Sequence, residues 1–147
     1  MNKALPDKWV RKAVWDAVND IAVDGIQIPC YDLEVTRDAQ KQAPTHYVLM
    51  TAQSNEVDKL SKCDWHWESD ILLDIVTRYS GAGNPGSRLL ADNILDAVRD
   101  ATQDLQLDVA SGLEIVRITQ SFPQDINSKS GDENIFRKLM RLEMTIK

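Results

Sequence analysis

Residues 63–86 read CDWHWESDILLDIVTRYSGAGNPG, and the first seventeen of them alternate as a long half-buried strand does, because successive side chains leave a pleat on opposite faces. Trp65, Trp67, Ile71, Leu73, Ile75 and Tyr79 fall on one side. Asp64, His66, Glu68, Asp70, Asp74 and Arg78 fall on the other, interrupted by Leu72 and Val76. One face is apolar and the other mostly acidic. A glycine-proline turn then leads into a helix, so the strand's apolar side is the seat on which helices are expected to pack.

Working outward, residues 7–22 predict a first helix, with Asp7 after Pro6 as its N-cap and Val10, Ala13, Val14, Ala17, Val18 and Ile21 at helical spacing. Gly25 is placed to stop it. Residues 26–36 alternate loosely around Pro29, which lacks an amide to donate, and predict an edge or irregular strand. Residues 46–53 read as a compact strand, 54–62 as a charged loop, and the polar link between two strands suggests an antiparallel hairpin. After the glycines, residues 87–105 carry Leu90, Ile94, Ala97, Val98, Ala101 and Leu105 at intervals of three and four, a second amphipathic helix. Residues 113–122 predict a strand, 123–134 a polar loop, and 135–147 a closing strand with Phe136, Met140, Leu142, Met144 and Ile146 on one face against Arg137, Arg141 and Glu143 on the other. The order α-β-β-β-α-β-β predicts an α+β fold: a mainly antiparallel sheet of four to five strands with both helices on one face.

The chain has 147 residues, 43% hydrophobic and 27% charged. That is one domain, residues 1–147, long enough to bury roughly two-thirds of its unfolded surface. A net charge of −6 argues against a generic DNA or membrane-surface binder, which carries a basic patch, although an acidic chain can meet nucleic acid in passing. Cys30 and Cys63 are the only cysteines and have no CxxC spacing, so neither a disulfide framework nor a zinc site is expected. The start, MNKALPDKW, has no long apolar run, which predicts no signal peptide, and no window approaches the roughly 20 apolar residues of a membrane helix.

Residues 81–86 spell GAGNPG, a literal G-x-G-x-x-G between a strand and a helix. A dinucleotide site needs a parallel strand buried on both faces before those glycines. The strand here alternates and carries Asp74 and Arg78, and Pro85 removes an amide from the cradle. A turn with a Pro-Gly helix start fits better; a nucleotide-binding enzyme centred there is the weaker alternative. His46, His66 and Cys63 have no metalloprotease spacing, and alternation puts Cys63 and His66 on opposite faces. No serine sits in G-x-S-x-G. No catalytic residue, metal site or cofactor is expected, and the chain reads as a non-enzyme. Trp65 and Trp67 belong to the core rim or anchor a subunit interface, where tryptophan buries much area at low entropy cost; as a peptide-docking anchor they would mark a monomeric adaptor.

Beyond these local patterns, most of the chain resembles the tail terminator (tail-completion) proteins of long-tailed bacteriophages, the lambda-type family and its relatives. The resemblance is carried by WVRKAVWDAV (9–18), by GIQIPCYD (25–32), where a small domain enters its sheet, and by HYVLMTAQSN (46–55). It continues through the strand end DIVTRYSG (74–81) and the helix RLLADNILDAV (88–98). It implies a structural virion protein assembled in the host cytoplasm, a small α+β subunit that closes into a homo-oligomeric ring, typically of six. Such a ring caps the tail tube at its head-proximal end, stops tube polymerisation and docks to the neck. The implied partners are other copies of the chain, the tube protein, a neck or connector protein, and genomic DNA only as it passes through the lumen, with no membrane. A head–tail connector or stopper ring is the neighbouring alternative. Under this resemblance Trp65, Trp67, Lys59, Lys62, Arg78, Gln124, Asp125 and Lys129 are candidate subunit or partner contacts. Asp64, Glu68, Asp70 and Asp74 are candidates for an acidic channel lining that would repel phosphates.

Overall fold

The computed structural model describes residues 5–35, 45–59, 65–81 and 86–147. Helix α1 spans Asp7–Val18 and buries Val10, Val14 and Val18, one residue per turn on a single face. It stops at Val18, four residues before the predicted end. Asn19 turns to extended backbone while its amide still donates to Trp15 O, and Asp20 takes a φ of 58°. The residues after it form a small hairpin instead, β1 (Ile21–Val23) antiparallel to β2 (Ile26–Ile28). Asp24 and Gly25 between them have φ of 51° and 78°, the paired positive values of a two-residue turn for which Asp-Gly is a favoured sequence.

Pro29 breaks the next segment, and β3 (Cys30–Asp32) follows at the sheet edge, parallel to β4 (His46–Lys59). Strand β4 runs antiparallel to β5 (Trp65–Ser80), with a register shift between Met50 and Gln53. The predicted loop 54–62 is thus strand as far as Lys59. Its polarity reflects an edge position with solvated side chains, not the absence of a ladder. Helix α2 spans Arg88–Thr102, its first turn capped by Ser87 Oγ accepting from Leu89 N, and buries Ala91, Ile94, Val98 and Thr102. A short 3₁₀ turn, Val109–Ser111, leads to β6 (Ile115–Ser121). Where residues 123–134 predict a loop, β7 (Asp125–Ser130) folds back on β8 (Glu133–Ile146) through a tight turn in which Gly131 has a φ of 58°. These outer strands make the sheet six-stranded rather than four- to five-stranded, in the order β3-β4-β5-β8-β6, with β7 beside the first half of β8.

The fold is α+β, as the pattern of elements predicts. Register places Val48, Met50, Ile71, Leu73, Ile75, Met140, Leu142, Met144 and Ile146 on one sheet face, where with the buried residues of α1 and α2 they form one continuous core. Both helices therefore lie on the odd-numbered side of β5, and the even-numbered side is the open face. The helix-covered side also holds Lys138, only 9% exposed, whose Nζ reaches Asp92 of α2 at 2.6 Å and Asp125 of β7 at 2.8 Å. Burial pushes that ammonium pKa down, and the two carboxylates more than offset it, leaving it raised. No described helix is long and apolar enough to cross a membrane.

Candidate functional site

The open face is built from the even positions of β5, the odd positions of β8 and the residues of β4 opposite them. Antiparallel pairing seats directly opposed residues on the same face. Each carboxylate of the β5 stripe consequently meets a partner that the strand's own sequence does not contain. Asp74, 2% exposed, lies between Leu49 and Leu139 and accepts from Arg137 Nε at 3.0 Å and from its Nη2. Asp70 accepts from Ser54 N at 3.1 Å and Ser54 Oγ at 2.7 Å, with Arg141 Nε at 4.0 Å. Glu68 accepts from Thr145 Oγ1 at 3.1 Å and stands 2.9 Å from His66 Nε2, which also has Asp58 at 3.7 Å. At the other end Arg78 Nε and Nη2 each donate to Glu133 at 2.8 Å. That fork holds the Glu133 carboxyl below its ordinary range and raises the guanidinium.

The face is therefore laced with ion pairs yet acidic on balance, since the same register sets Glu56 opposite Glu68 and Asp70 opposite Glu143. Between the ion pairs lies a hollow of about 310 Å³ walled by Tyr47, Leu49, Val76 and Ile135, with Asp74, Arg78 and Arg137 at its sides. Tyr47 meets Tyr31 edge to face, with centroids 6.1 Å apart, and Tyr79 packs on His46 at 5.5 Å and on Phe136 at 6.0 Å. Burial holds the His46 pKa below its ordinary value.

The other expected contact residues do not gather in one place. Trp65 and Trp67 lie on the helix-covered side, their rings 5.9 Å apart and nearly perpendicular. Trp67 packs against the core, and its buried Nε1 has no hydrogen-bond partner among the described residues. Gln124 and Lys129 are exposed, Gln124 accepting Leu139 N through its backbone oxygen and Lys129 standing on β7 opposite Asn134. Asp125 is bound to Lys138. Lys59 ends β4. Lys62, Cys63 and Asp64 lie outside the described residues, as do residues 82–85 of the glycine run.

The sequence stripe alone misses the arginines that answer it. Residues 135–147 do put Arg137 and Arg141 on one face, but which acid each meets depends on strand register. Cys30 is buried, and that burial, with Asp32 adding to it, pushes its thiol up to about 12, the range of an inert cysteine. Among the described residues no group of three or more His, Cys, Asp or Glu is arranged to hold a metal ion.

No protein-family model matches the chain, and no curated protein matches it either. Among solved structures, the chain is similar to a chain from the virion of a native gene transfer agent particle, with a TM-score of 0.58 and 18% sequence identity. The likeness covers 95% of this chain and 96% of that one. It is a likeness of the whole fold.

Proposed function

We propose that the chain is a structural subunit of a phage-like particle, a ring-forming tail terminator that caps the tail tube and joins it to the neck. The observation that carries this is the fold likeness to a virion chain over 95% and 96% of the two lengths. The resemblance of residues 9–18, 25–32, 46–55, 74–81 and 88–98 to tail terminators supports the finer role from an independent direction. In this reading the open face, where carboxylates outnumber the arginines, offers DNA few cations to exchange for counterions. Glu68 and Asp70 stand toward the channel, while Asp74 serves to hold Arg137.

The test is tube growth. The purified chain is added at substoichiometric amounts to polymerising tube protein from the same particle, and lengths are measured by electron microscopy. Shorter tubes, each with a ring at one end, are expected. Tubes of unchanged length with no ring overturn the terminator role, and binding to the neck or connector without binding to the tube moves the protein to the connector side of the joint.

A further inference from the structure

The sheet has two open edges at the same level. Beyond its bulge, β4 has no neighbour on its outer side among the described residues, because β3 pairs only with Val48, Leu49 and Met50. Strand β6 likewise has β8 on one side and no described strand on the other. Register places these free edges in one transverse band. Ser54 lies across from Asp70, Asp70 from Glu143 and Glu143 from Thr119; Glu56 from Glu68, Glu68 from Thr145 and Thr145 from Arg117. Three successive antiparallel steps make β6 antiparallel to β4.

We propose that β6 of one copy of this chain pairs with residues 53–57 of β4 in the next copy, continuing the antiparallel sheet from subunit to subunit. This rests on the reading of the chain as a ring subunit. Three features select a second copy as the occupant. A neighbour set sideways in the same orientation presents β4 antiparallel to β6, the pairing direction the rest of this band already uses. At that level Glu56 of one copy meets Arg117 of the other on the open face, and both are exposed. On the helix side Val57, 41% exposed, comes level with Ile115, next to which Val116 is 56% exposed in the bulge of β6. Such a contact is head-to-tail, with different surfaces on its two sides, the kind that closes into a ring where the rotation permits.

A charge swap tests it. Glu56→Arg and Arg117→Glu are made separately, circular dichroism confirms that each folds, and mass in solution is followed across protein concentration. Wild type is expected to associate, each variant to weaken by about fivefold per contact, and an equimolar mixture to recover. In the mixture the glutamate introduced at position 117 of one variant faces the arginine introduced at position 56 of the other, while the native Arg117 and Glu56 still find each other. Variants that associate like wild type, a mixture as dispersed as its parts, or a wild type monomeric at every concentration overturn the proposal. Rings that stop tube growth yet ignore the swap leave the terminator reading standing without this joint. A swap that behaves as expected in a protein that leaves tube growth untouched does the reverse.

Discussion

Replacing Arg137 with methionine isolates the strongest charge contact on the open face. The substitution keeps most of the apolar stem and removes the guanidinium that donates to Asp74, a carboxylate with 2% of its surface exposed and leucines 49 and 139 on either side. Breaking a buried pair from one side costs about 3–5 kcal/mol, because the remaining charge stays desolvated. The Arg137 side chain is itself 38% exposed, so water entering the space it leaves recovers a share, and about 3 kcal/mol is expected. In a domain of this size that lowers the melting temperature by roughly 6–12 °C. With a urea slope of about 2 kcal/mol/M it moves the midpoint down by about 1.5 M. Asp74→Leu alone is milder, about 1 kcal/mol, since it strands a half-exposed cation rather than a buried anion. The double variant, with leucine set between Leu49 and Leu139 and methionine beside it, returns to within about 1 kcal/mol of wild type. Urea unfolding of all four proteins closes the cycle. A loss below about 1 kcal/mol for Arg137→Met, or a double variant as unstable as that single one, refutes the reasoning.

Three further outcomes follow from the same fold. Gly86 has a φ of 67°, and a Cβ there would run into the Tyr79 ring, so Gly86→Ala should cost roughly 2–3 kcal/mol in thermal unfolding. Gly81→Ala, with nothing within 4 Å of its Cβ, should cost less. Cys30, its thiol raised to about 12 by burial and Asp32, should resist alkylation at pH 8 until the protein is unfolded. A raised folded value means stability present below the thiol's ordinary value of 9.0 and lost as pH climbs from there toward 12, and Cys30→Ala should remove that part of the alkaline loss. His46, lowered by burial from its ordinary value of 6.5, has the opposite sign. It contributes stability above that value and loses it as pH falls through the folded pKa, so His46→Phe should flatten the acid side of the stability–pH curve measured by urea unfolding.

The central strand, both helices and the side they cover were legible because each is written as a period, 2.0 along β5 and 3.6 along α1 and α2, and the core enforces that period. Elements the core does not enforce were harder to read. Residues 54–59 and 125–130 are polar because they stand at sheet edges, where a side chain can be solvated while its backbone is laddered on one side only. Hydropathy cannot distinguish such a strand from a loop. The β1–β2 hairpin did carry a signal, Asp24-Gly25, but at three residues a strand it is shorter than any alternation test resolves, and Gly25 served equally well as a helix stop. The end of α1 at Val18 follows from that hairpin, since Ile21 continues the helical spacing of the valines yet pairs with Ile28.

The open face is where strand-by-strand reading had to stop. On β5 alone Glu68, Asp70 and Asp74 are an acidic stripe, and on β8 alone Arg137 and Arg141 are half of a charged face. Which acid each arginine meets depends on an offset that neither strand encodes by itself. The observed register pairs Asp74 with Leu139, one step from Arg137, and Asp70 with Glu143, one step from Arg141, so each arginine reaches diagonally to the acid beside it. A slip of two residues would keep every apolar side chain on the core and bring Asp70 level with Arg141. Hydrophobic alternation therefore fixes which face is buried but not which charges meet, and the pairs that join β5 to β8, Asp74 with Arg137 and Arg78 with Glu133, go with the observed offset. The same offset brings Glu56 and Arg117 to one level at opposite edges of the sheet, so a slip of β8 that carried β6 with it would undo the proposed joint between copies.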